Sequence, residues 1–120
     1  MFIAYVILTG LVVLSQFASG VLDLMEAEAL VKGVTALGYP VYILKILGPA
    51  KIAGTIVLAM PGQLRLKEWA YAGFAIDFIG AAASHVLAGQ SFGEAAPALV
   101  LFAILMGSYF TRPNSRKLAP

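Results

Sequence analysis

The chain has 120 residues, 61% hydrophobic and 12% charged, with a net charge of +2 and a mean hydropathy of +0.91; soluble domains average about 45–50% apolar and about 25% charged. This composition predicts an integral membrane protein, and four crossings of about 20 residues each leave these residues no room for a soluble domain. With no cysteine, disulfides, thiolate metal sites and thiol exchange are excluded, and the scattered basic residues offer nucleic acid no patch.

Residues 1–22, "MFIAYVILTGLVVLSQFASGVL", contain no charged side chain and are long enough to cross once. A secretory signal would begin with a basic region, which this segment lacks, so it reads as a retained first span. Residues 23–38 mix Asp23, Glu26, Glu28 and Lys32 with Leu30, Val31, Val34 and Leu37 at helical spacing. They predict a helical extension or a short interfacial helix.

The second span is expected at 41–60, with Lys45 and Lys51 inside it, Pro49 between them, and Pro61-Gly62 ending it. The third runs from 69 to 87 and the fourth from 95 to 110, with Pro97 in the first turn of the last helix. The tail "TRPNSRKLAP" is polar and expected to fray. The predicted fold is thus an all-α membrane protein, a single four-transmembrane-helix bundle with an interfacial segment between spans one and two.

Loop charge sets the expected orientation. Arg65 and Lys67 flank the second loop and Arg112, Arg116 and Lys117 lie in the tail, whereas the first and third loops offer only Lys32. Both chain ends are therefore expected in the cytoplasm.

The stretch "KEWAYAGFAIDFIGAAASH" reads as a spanning helix that carries an acid and an imidazole. At about 100° per residue, Ala70, Gly73, Asp77, Gly80, Ala81 and Ser84 share one face, expected to pack on protein. Ala75, Ile79, Ala82 and Val86 lie opposite, expected to meet lipid. At about 1.5 Å per residue, Lys51 and Asp77 both lie about 15 Å below the outer surface, so they are expected to pair, with Lys45 and His85 higher. Acidic residues near the first loop, water or a ligand are the other expected sources of compensation for the lysines.

Each of these residues also has a purely structural reading. The ion pair can simply fix helix register, Lys45 can snorkel to the interface, and His85 can be a satisfied interfacial histidine. Glu26 either stays solvated or reaches Lys45 through a folded-back helix. One histidine without cysteine makes a poor metal site, so none is expected.

The segment "LKILGPAKIAGTIVLAMPGQLRLKEWAYAGFAIDFIGAAASH" resembles the core of the DoxX-like family, small bacterial membrane proteins with four predicted helices. The likeness rests on the run from Lys45 to Gly48, Pro61-Gly62, the Lys-Glu-Trp-Ala at 67–70, Gly73-Phe74, Asp77, and the run from Gly80 to His85. It implies a bacterial inner-membrane location, and relatives tied to quinone-coupled sulfur oxidation, oxidative-stress complexes or receptor assembly. The family's polar core maps onto Lys45, Lys51, Asp77 and His85, with no catalytic assignment.

Two functions are expected from these residues. In the first, the bundle binds a hydrophobic small molecule of quinone or lipid type at Lys45, Lys51, Asp77, Ser84, His85 and Glu26, as an accessory subunit of a redox complex. In the second, the chain assists assembly of another membrane protein, or pairs with a second copy, through small-residue helix faces. A binding role fits better than an enzymatic one, although His85 is of a residue type suited to proton transfer.

Overall fold

Helices are the economical way to satisfy backbone groups in lipid, and all regular structure among the described residues 2–114 of the computed structural model is helical. The elements are α1 (Phe2–Leu24), α2 (Glu28–Ala36), α3 (Ile43–Ala59), α4 (Leu64–Leu87) and α5 (Phe92–Phe110). Among them α1, α4 and α5 are long and apolar enough to cross a membrane. Helix α3 has 17 residues, about 26 Å of rise. The long helices pack in the order α1–α3–α4–α5 and back to α1, within an envelope of 42 × 27 × 20 Å.

Helix α1 continues past the expected boundary, so Asp23 sits in its last turn. A left-handed residue, Glu26 at φ 51°, then turns the chain into α2. None of α2's residues is buried. The α1–α3 crossing is close because both helices present glycine there. A Cβ on Gly20 would lie 2.9 Å from the Gly48 carbonyl oxygen, and one on Gly48 would lie 2.9 Å from that of Gly20.

The apolar core comprises Val12, Leu58, Tyr71, Phe74, Phe78 and Leu105. Within it Ser108 on α5 is hydrogen-bonded to Thr9 on α1 at 2.5 Å and to Tyr71 on α4 at 2.7 Å. These bonds join three helices where water cannot compete.

Three expectations about individual residues change. The buried face of α4 is Lys67, Tyr71, Phe74, Phe78 and Ala82, so Ala82 meets protein, while Gly73 and Gly80 are exposed. Aromatic side chains bury far more area than glycine or alanine and so set the face that packs. Helix α5 starts at Phe92, which places Pro97 beyond the first turn, where it cannot donate to the Gly93 carbonyl.

The third change concerns the tail, whose start is anchored. Arg112 Nη1 lies 2.5 Å from Glu68 Oε1 and its guanidinium stacks 3.6 Å from the Tyr109 ring centroid. The Tyr109 hydroxyl donates to Glu68 Oε2 at 2.9 Å. Arg116 and Lys117 lie outside the described residues.

Candidate functional site

Helix α1 buries Tyr5, Thr9, Val12, Gln16, Gly20 and Asp23, a helical stripe that becomes polar towards its end. Asp23 is 1% exposed and sits at a helix C-terminus, where the dipole disfavours a negative charge. Lys51 on α3 compensates, its Nζ 3.0 Å from Asp23 Oδ2. The ammonium directs a hydrogen bond to Ser19 Oγ at 3.0 Å, and Asp23 Oδ2 is buried without a hydrogen bond of its own. Their contact is therefore coulombic, without hydrogen-bond alignment.

The expected Lys51–Asp77 pair is thus replaced by Lys51–Asp23. Asp77 is half-buried, makes no hydrogen bond and has no ion-pair partner within 4.0 Å among the described residues. Depth matching had compared α3 with α4 alone. It left out α1, which also packs on α3 and whose continuation to Leu24 carries Asp23 to Lys51.

Lys45 does a different job. Its Nζ donates to the Leu24 carbonyl at 2.9 Å, capping α1, and lies 3.4 Å from Glu26 Oε1. Helix ends leave carbonyls without partners, and a neighbouring lysine satisfies them well. Lys67 repeats the device on α3. It is 1% exposed, with Nζ donating to the Val57 carbonyl at 2.6 Å and to the Met60 carbonyl. Sequence reasoning had assigned Lys67 only to a loop flank.

The helices surround a cavity of about 400 Å³ lined by residues of all five, including Lys51, Asp77, Ser84 and His85. Lys45 and Glu26 are outside its lining. Helix α2 contributes Leu30 and Val34 to the lining, spaced one turn apart. Ser84 is hydrogen-bonded to the Tyr39 hydroxyl at 2.6 Å, which ties the α2–α3 connection to α4. His85 Nδ1 lies 2.5 Å from Gln90 Oε1.

Sequence reasoning missed Gln16, Ser19, Asp23 and Glu94 in this lining. The spacing of Thr9, Gln16 and Asp23 along one face of an otherwise apolar span was the available signal. A second cavity of about 220 Å³ lies between α3 and α4, lined by Ala50, Gly54, Trp69, Gly73 and Phe74 among others. It shares Leu47, Lys51 and Asp77 with the first. No group of three metal-ligating side chains occurs among the described residues.

Apolar helices around a partly polar interior define an all-helical integral membrane protein. The sequence model of the DoxX-like family matches residues 7–108, and the chain belongs to that family. No curated protein and no solved structure matches it.

Proposed function

We propose that the chain crosses the bilayer four times, with α3 as the fourth crossing, and holds a hydrophobic small molecule of quinone or lipid type in the larger cavity. The observation that carries this reading is the cavity itself. About 400 Å³ lies within the roughly 300–1,000 Å³ of small-molecule sites, which are likewise mostly apolar with a few converging polar groups. Here those groups are Lys51, Asp77, Ser84 and His85. A place beside a membrane redox complex would suit such an occupant.

Native mass spectrometry of gently purified protein, incubated with lipid and quinone extracts, tests the reading. Wild type should carry one small-molecule adduct that Ala81→Phe, which fills the cavity, loses while remaining folded. An adduct that survives Ala81→Phe, or no adduct with a protein partner co-purifying, would overturn it in favour of an assembly role.

The proposed location is a bacterial inner membrane with both chain ends in the cytoplasm. It is supported by Arg65, exposed in the first turn of α4, and by the α5 end, which Arg112 ties to the start of α4. Because the chain has no cysteine, Arg65→Cys gives a single label site. An impermeant maleimide should react in inverted vesicles and not in intact cells; the reverse result inverts the topology.

A further inference from the structure

The larger cavity has one lysine in its lining, Lys51, against three carboxylates, Asp23, Asp77 and Glu94. The Asp23–Lys51 pair cancels its own charge, and the ammonium donates its hydrogen bond to Ser19. Asp77, in the middle of a helix fit to cross a membrane, is left without an ion-pair partner within 4.0 Å among the described residues. Lys51 lines both cavities with Asp77 and acts on it only beyond contact distance, so a carboxylate at such depth has no counter-charge in contact with it.

Asp77 also stands where the two cavities adjoin. The smaller one lies along the α3–α4 seam beside Trp69, which is 69% exposed. Phe74 and Trp69 line that chamber, and Tyr39 and Phe78 line the larger one. Aromatic faces attract cations and apolar rings alike, and do so more strongly away from water. Anions gain nothing from such faces and meet the surplus of carboxylates.

We infer that the occupant of this cavity is a lipophilic cation, a hydrophobic amine or onium, held with Asp77 as its counter-charge and admitted from the bilayer along the α3–α4 seam. The inference rests on the ligand-holding reading above and narrows its occupant to a cationic lipid-like molecule in place of a neutral quinone. It assigns Asp77 to the ligand and Lys51 to Asp23.

The test uses two ions of one shape and opposite charge, radiolabelled tetraphenylphosphonium and tetraphenylborate, on the full chain in a neutral detergent. Ala81→Phe serves as the background for micelle partition. Wild type should bind the phosphonium at least about tenfold more tightly than the borate. Asp77→Asn should lose at least about tenfold in phosphonium affinity with its unfolding temperature unchanged, and Asp77→Glu should recover most of it.

Tighter binding of the borate, or undiminished phosphonium binding by Asp77→Asn, overturns the assignment. If neither ion binds while a neutral quinone does, and Ala81→Phe abolishes that binding, the cation inference falls and the ligand cavity stands. If no probe binds, both fall.

Discussion

Replacing Lys51 with Met is expected to cost the fold about 3–5 kcal/mol, the usual loss when one member of a buried ion pair is removed. Asp23 Oδ2 is buried and accepts no hydrogen bond, so Lys51 is what makes its charge tolerable at the C-terminal end of α1. The double variant Asp23→Asn with Lys51→Met removes both charges and should recover most of the loss, because a neutral amide is much cheaper to bury than a carboxylate. Asp77→Asn should stay within about 0.5 kcal/mol, since that residue has no close partner to lose. Denaturation in detergent of all three variants decides the pairing. A loss for Asp77→Asn as severe as that for Lys51→Met, with no recovery in the double variant, would restore the pairing that depth along the helices implies.

The second large effect is expected at Lys67. Its ammonium donates to the Val57 and Met60 carbonyls at the end of α3, and hydrogen bonds to a charged group contribute about 1.5–3 kcal/mol each. Lys67→Met keeps the length and apolar bulk of the side chain and removes the donors, so a loss of about 3 kcal/mol is expected. The effect should be local as well as global. Hydrogen exchange should quicken in the last turn of α3, with much less change in α1, whose C-terminal carbonyl is capped by Lys45. Unchanged exchange there would mean that Lys67 merely snorkels to the interface.

These two lysines, with Lys45, show why the polar residues were harder to read than the helices. Lysine inside or beside a span reads the same in sequence whether it pairs with an acid, caps a neighbouring helix or reaches the headgroups. Lys51 does the first, and Lys45 and Lys67 do the second. The difference depends on where another helix ends. Arg112 is similar: its sequence context is that of a polar tail, and its order comes from Glu68 and Tyr109 brought beside it by α4 and α5.

Composition and hydropathy alone determined that this chain is helical and belongs in a membrane, because the lipid solvent constrains the backbone so tightly. The spacing of glycine, proline and apolar runs placed the helices to within a few residues, and the motif from Lys45 to His85 carried the family. Tertiary structure decided which charges meet. A helical wheel fixes which residues share a face but is silent on which neighbour covers it. The two residues by which α1 outruns its expected span were enough to give Lys51 to Asp23 and leave Asp77 open to the cavity.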